Sequence, residues 1–422
     1  MPLLHRAAWV LPIAAPPIHE GWVLVDRGRI VDVGGGRGPE ASYQEHSQPR
    51  TANSQIPSSN YRAQTAILPG LVNSHTHLEL SWMRGRVPSS ERFDDWIRAL
   101  VSLRRRNPDA VSAGITDAAV AALDEARRCG TIAFGDISNT FLTPSLFVRA
   151  GCVAHVFFEL IGFNEPDPEG RVRSARETVD AIERLGSDVR GSLAPHAPYT
   201  VSPALFRAIQ RDLDAHPGAR CSVHLGESSA EVEFLRDGSG PIAEALQGLG
   251  AWDPGWRPPE CSPVEYLAHL RVLDERTIVV HGVQLTDSDL RRLRDAEAVL
   301  VTCPRSNRWT GAGIAPVERF YASGVRVAIG TDSLASGDDL NMFNEMAAVR
   351  ALAPNVPASR ILHSATLGGA EALGFGSEVG SIEPGKRAGL IAVHLPDDVA
   401  DVEEYLVGGC VEPSGIRWLH AW

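Results

Sequence analysis

At 422 residues, 44% hydrophobic and 22% charged, the chain has the composition of a soluble globular protein with room for one large domain and a smaller one. A formal net charge of −12 argues against a nucleic-acid partner, because phosphate backbones are repelled, while a free nucleoside stays compatible. No stretch approaches the ~20 apolar residues of a membrane-spanning helix, so no membrane partner is expected.

The first residues, Met1 to Pro17, form a proline-broken apolar run without the uninterrupted centre of a signal peptide, and read as a strand of a small sheet. Trp22 to Gly34 reads as a hairpin turning at Gly28. Residues 36–62, rich in Gly, Ser, Asn, Gln and Pro, read as a long surface loop. Eight short apolar runs follow, at 66–72, 131–137, 153–160, 189–195, 221–225, 277–282, 298–303 and 325–330. Helical patterns lie between them, including Phe93 to Arg106, Thr116 to Cys129, Pro203 to Ala215 and Thr286 to Ala296. Thr286 and Ser202 stand as N-caps, the latter with Pro203 in the first turn. This alternation predicts an α/β fold, a (β/α)₈ TIM-type barrel whose sites lie at the C-terminal strand ends. Gly380 to Val393 reads as a turn and returning strand. The termini therefore combine: residues 1–65 and 375–422 are expected to form one small β-sandwich domain, and 66–374 the barrel.

Four of the apolar runs end in chemistry. The first carries His75-Thr76-His77, with Asn73 and Ser74 taken to mark the strand end. Residues two apart on a strand share a side, so both imidazoles can meet one metal ion. An isolated pair of this kind is more often an ordinary core or surface pair. Here three more signals follow: His224-Leu225-Gly226-Glu227, His281-Gly282 and Gly330-Thr331-Asp332, each closing its own apolar run. Cys221, three before His224, would face the other side of its strand and reads as a buried thiol. The six cysteines show no CxxC pair, which suits a reducing cytoplasm.

This ordered set resembles the amidohydrolase superfamily, in its branch of mononuclear zinc deaminases and related hydrolases, over nearly the whole chain. The segment Leu193 to Ser202 is similar to the one in adenosine-type deaminases whose histidine contacts the sugar. His77 to Ser81 and Glu227 to Leu235 look most like aminodeoxyfutalosine deaminases of menaquinone synthesis. The Pro384-Gly385-Lys386 turn resembles the family's return to its small domain, with Gly389 in place of the usual Asp. Lys386 is the only lysine, so the carboxylated lysine of binuclear relatives has no counterpart in the barrel and one metal is expected.

The resemblance and the donor chemistry together set the expected roles. His75, His77 and His224 are imidazole ligands and Asp332 the carboxylate ligand of one divalent ion, Zn²⁺ first and Fe²⁺ second. Glu227 is the proton shuttle, and Asp332 can also take a proton from water. His281 stabilises the attacking water and the tetrahedral stage, with a fourth-ligand role as its rival. His196 is the sugar contact, and Glu79 a second one or a supporting residue. Arg84, with Arg86, Arg305 and Arg308, could meet a substrate carboxylate, and Trp82 and Trp309 could stack on the ligand's rings.

The expected activity is hydrolytic deamination of a small-molecule, adenosine-like nucleoside, 6-aminodeoxyfutalosine to futalosine plus ammonia. Rivals in the branch are adenosine, S-adenosylhomocysteine and guanine deamination and triazine dechlorination. The rival outside enzymes is a catalytically silent metal-binding scaffold. Barrel enzymes often dimerise, so a homodimer is one assembly open to the chain, and the sequence does not fix the oligomeric state.

Overall fold

A computed structural model of the chain describes residues 2–36, 38, 58–109, 111–397 and 399–419. Two four-stranded parallel sheets form its centre. One runs Leu71–Thr76, Thr131–Ser138, Val153–Leu160, Val189–Pro195, and the other Cys221–Leu225, Thr277–His281, Val299–Thr302, Arg326–Ile329. Their strands lie adjacent in sequence order and alternate with helices, the arrangement that parallel pairing requires. The helix Phe93–Arg106 has the expected ends, and Thr286 closes a capping box with Asp289 at the start of Asp287–Asp295.

Strand alternation sorts the side chains. In the second sheet Ile278, Val280, Val299 and Val301 pack in one apolar cluster with Val72, Phe157 and Ala194 from the first. Cys221, Val223 and Leu225 join the other cluster, beneath the helices, so Cys221 faces away from His224 as the pattern predicted. At the strand tips the two sheets touch. His224 N–H donates to the His196 carbonyl at 2.9 Å, and Asp332 N–H donates to the His75 carbonyl at 3.0 Å. Gly330 permits the second approach: a Cβ there would lie 2.7 Å from the His75 oxygen.

Both chain ends enter a third, seven-stranded sheet. Its order is Ile416–Trp418, Leu390–His394, Ser58–Pro69, Leu3–Val10, Gly21–Asp26, Arg29–Gly35, with Ile18–His19 beside Leu3–Val10. The described strands of this region make a single sheet where two stacked layers were expected. The hairpin turns at Arg27 and Gly28, both left-handed (φ 50° and 72°).

Two expectations need correction. Residues 66–72 are not one barrel strand. Ala66 to Pro69 ends a strand of the terminal sheet, and a new strand begins at Leu71, because Pro69 has no N–H with which to continue a ladder. Asn73 and Ser74 lie inside that new strand rather than ending it. Asn73 exchanges side-chain hydrogen bonds with Thr331, to its Oγ1 at 2.7 Å and from its N–H at 3.0 Å. Of the expected loop 36–62, residues 37 and 39–57 lie outside the described residues, while 58–62 already belong to a strand. Among the described residues, no helix is long and apolar enough to cross a membrane.

Candidate active site

The four motifs converge at the C-terminal tips of the parallel strands. The Nε2 atoms of His75 and His77 approach to 3.2 Å, and Asp332 Oδ1 lies 3.7 and 3.5 Å from them. Ligating atoms of His75, His224 and His281 also lie within 4.8 Å of one another. His281 would point the wrong way on a regular strand, since its neighbour in the ladder is the outward Leu225. Left-handed backbone at His281 (φ 75°) breaks that alternation, and Asp332 is left-handed too (φ 58°). Such conformations cost about 1–3 kcal/mol each and persist where the surroundings over-determine them.

Neighbouring groups orient these side chains. His224 Nδ1–H donates to the His196 carbonyl at 3.0 Å, which leaves its Nε2 as a lone pair. His281 Nδ1–H donates to Asn307 Oδ1 at 2.8 Å, with the same result. Asp332 Oδ2 accepts from Ser306 Oγ at 2.6 Å and Ser336 Oγ at 3.0 Å, so Oδ1 is left for the histidines. Nδ1 of His75 is buried without a partner. Three or four converging imidazole nitrogens and one carboxylate, with His224, His281 and Asp332 held by bonds through their other atoms, make a donor set that fits a divalent ion such as zinc.

Burial lowers the pKa values of His75, His77, His224 and His281, so these rings are neutral near pH 7 and can donate lone pairs. Burial pushes the Asp332 carboxyl up, but His77, His281, His75 and the Ser306 hydroxyl outweigh it and hold the group at about 2. Glu227 behaves oppositely. Burial drives it well above the usual carboxyl range, and Asp332 and Glu231 push it further. Its backbone N–H and that of Gly226 are held by the Glu231 carboxylate, both at 3.0 Å, and its Oε1 lies 3.6 Å from His281 Nε2. The site thus sets a carboxyl whose pKa is raised beside one whose pKa is lowered.

His196 borders the cluster. Its ring centroid is 4.8 Å from that of His224, and its Nδ1 bonds Thr200 Oγ1 at 2.7 Å, which leaves Nε2 for a ligand. Glu79 does not face the cluster openly. Its oxygens accept from Ser138 Oγ and from the N–H groups of Asn139 (3.0 Å) and Thr140 (3.1 Å), so it ties the next strand end in place. Arg84 pairs through both its terminal nitrogens with Glu125, at 2.8 and 2.6 Å. Arg305 is likewise engaged by Asp339 at 2.7 and 3.0 Å, and Arg86 lies over the Trp82 ring.

Sequence reasoning passed over Asn307, Ser306, Asn139 and Glu159. The last had a visible signal, as the only charged residue in the apolar run 153–160. The others had none.

Residues 66–413 match the Amidohydrolase family. An aminodeoxyfutalosine deaminase of Deinococcus radiodurans is 33% identical over 327 residues, covering 74% of each chain. A 5-methylthioadenosine/S-adenosylhomocysteine deaminase of Moorella thermoacetica is 29% identical over 96% of this chain and 93% of its own. In three dimensions, an adenosine deaminase from Xanthomonas campestris with bound zinc superposes with a TM-score of 0.79 at 28% identity, covering 98% of this chain and 90% of that one.

Proposed function

The chain belongs to the amidohydrolase family and is a hydrolase acting on C–N bonds, and on that premise we propose that it deaminates an adenosine-like nucleoside, 6-aminodeoxyfutalosine to futalosine and ammonia. The observation that carries this reading is the convergence of His75, His77, His224, His281 and Asp332 at the strand tips, with the Glu227 carboxyl 3.6 Å from His281 at the edge of that cluster. The relatives' names support an adenosine-type substrate, and the Deinococcus relative supports aminodeoxyfutalosine in particular. The two parallel sheets are read as halves of one (β/α)₈ barrel, beginning at Leu71 and running to about residue 374, joined at its tips through His196, His224, His75 and Asp332. The residues before it and 375–422 are read as the accompanying small domain.

In this reading His75, His77, His224 and Asp332 hold one divalent ion, zinc for preference. Bound there, it supplies a Lewis acid that brings the pKa of water from ~16 toward ~7. Glu227 starts protonated and gives its proton to a ring nitrogen of the purine as water's oxygen adds to the carbon bearing the amino group. As the oxygen adds, Asp332 takes one of the water's protons; the Glu227 carboxylate then moves the remaining hydroxyl proton to the amino group, so ammonia leaves, the carbonyl forms, and the proton on Asp332 returns to Glu227. His281, poised by Asn307, steadies the water and the charge that builds at the tetrahedral stage. His196 meets the sugar through its free Nε2.

The test is ammonia release by the zinc-loaded protein from aminodeoxyfutalosine, adenosine, S-adenosylhomocysteine, adenine and guanine. Preference for aminodeoxyfutalosine is the expected result. Activity confined to another nucleoside would discard that substrate and keep the chemistry; silence across the panel would discard deamination of nucleosides.

A further inference from the structure

Glu159 is a buried carboxylate for which this reaction has no use. It stands near the tip of the strand Val153–Leu160, 6% exposed, two residues beyond Phe157. Phe157 packs in the inner apolar cluster with Val72, Ala194 and Val280, and residues two apart share a side. Glu159 therefore leaves its strand toward the same interior, one step nearer the histidines. Its Oε2 accepts from Asn139 Nδ2 at 3.0 Å. Its Oε1 is 3.7 Å from His224 Nδ1, beyond hydrogen-bond reach, and that N–H is already given to the His196 carbonyl. A carboxylate offers about four acceptor positions, so most of this one's capacity is unspent. Unspent acceptors in a buried place are costly unless a ligand brings donors. The space they face is bounded by His196 and His224, whose ligating atoms lie within 4.8 Å of a Glu159 oxygen. Desolvation acts on the group as well, raising its pKa, with His77 and Asn139 opposing.

We propose that Glu159 is the residue that determines sugar specificity, accepting hydrogen bonds from the vicinal hydroxyls of a ribosyl group while Asn139 holds it in place. The proposal rests on the nucleoside reading above and adds to it the group that reads the sugar. Vicinal hydroxyls present two O–H donors at a spacing that suits one carboxylate's two oxygens. A bare base and a dideoxy sugar have neither. The competing role is structural, with Glu159 propping the His224 ring.

The experiment compares zinc-loaded wild type, Glu159→Gln and Glu159→Ala for ammonia release from adenosine, 2′,3′-dideoxyadenosine and adenine. Zinc content and calorimetric affinity for adenosine are measured on the same preparations. Both variants are expected to keep their zinc. Their kcat/KM for adenosine should fall roughly 10- to 100-fold, mostly through KM, as for a lost hydrogen bond to a charged group. On dideoxyadenosine and adenine they should match wild type, and calorimetry should show the same selective loss. An equal loss on all three substrates, or loss of zinc, would overturn the proposal in favour of the structural role. Where wild type turns over aminodeoxyfutalosine and not adenosine, the fall is read on aminodeoxyfutalosine, which carries the same vicinal hydroxyls. Wild type inactive on both of these and on the dideoxy analogue would instead refute the nucleoside reading, and that failure is seen in the wild type before any variant is considered.

Discussion

Asp332 and Glu227 stand on two sides of one cluster and are buried alike, 6% and 5% exposed, yet their surroundings drive them apart. On the Asp332 side, two serine hydroxyls and the histidines favour the anion. On the Glu227 side, burial raises the pKa and the neighbouring carboxylates Asp332 and Glu231 push it further. Burial is common to both sides, so the partners decide which carboxyl keeps its proton. Two carboxyl groups with opposed protonation are what a hydrolysis needs when one must ligate and the other must deliver a proton.

The most damaging change to this arrangement is Asp332→Asn. It removes the only anion from the ligand set, so zinc content should drop steeply and ammonia release fall to background. Atomic absorption on the purified variant checks it, and full zinc occupancy would contradict the ligand role. Glu227→Gln should act on the other side alone. Zinc stays, and kcat falls by roughly 10²- to 10⁴-fold, the usual value of positioned proton transfer. If both variants lost zinc, or neither did, the two sides would not be functionally distinct.

How much of this contrast could be read from the chain depends on distance along it. The helix Phe93–Arg106, the Gly28 turn and the cap at Thr286 rest on residues a few places apart, and the pattern located them. The four strand-end motifs were legible for the same reason. The break at Pro69 was missed because apolar character runs straight through it, although the ring closes off the ladder there. The pairing of Arg84 with Glu125 could not be read because the two lie 41 residues apart. Ser306 and Asn307, which orient Asp332 and His281, are each 26 residues from the side chain they serve, and nothing local marks them. The sequence-stated motifs thus cover the groups that would touch metal and water, while the groups that aim them come from pairings formed only on folding.

Ser306→Ala tests that supporting layer. Without the 2.6 Å hydroxyl donor, Asp332 loses part of what holds its carboxyl low, and its pKa should rise. Zinc affinity should fall roughly 10- to 100-fold, as for other partners of metal-binding groups. Competition with a chelator gives the value. An unchanged affinity would mean that Ser336 suffices.

The smallest expected effect comes from a group shifted mainly by burial. His155 lies within the sheet interior, 1% exposed, with Nδ1–H donating to the Leu373 carbonyl at 3.1 Å and Nε2 accepting from Ser192 Oγ at 2.7 Å. Burial lowers its pKa to about 3; the Leu373 carbonyl opposes the fall, and the Arg220 and Arg190 guanidiniums add to it. Between pH ~6.5 and 3 the unfolded chain therefore binds a proton that the folded chain refuses, so stability falls as pH falls through that window and levels off below it. At pH 5 the penalty is about 2 kcal/mol, from 1.5 pH units at ~1.4 kcal/mol each. For a chain of this length that is a Tm shift of only about 2 °C. His155→Gln can keep one donor and one acceptor but cannot titrate. Its Tm should decline less than that of wild type between pH 7 and 5, measured on zinc-free protein to keep metal loss out of the comparison. Parallel declines would mean that His155 already takes up a proton in the fold, and that burial beside two guanidiniums does not hold this histidine neutral.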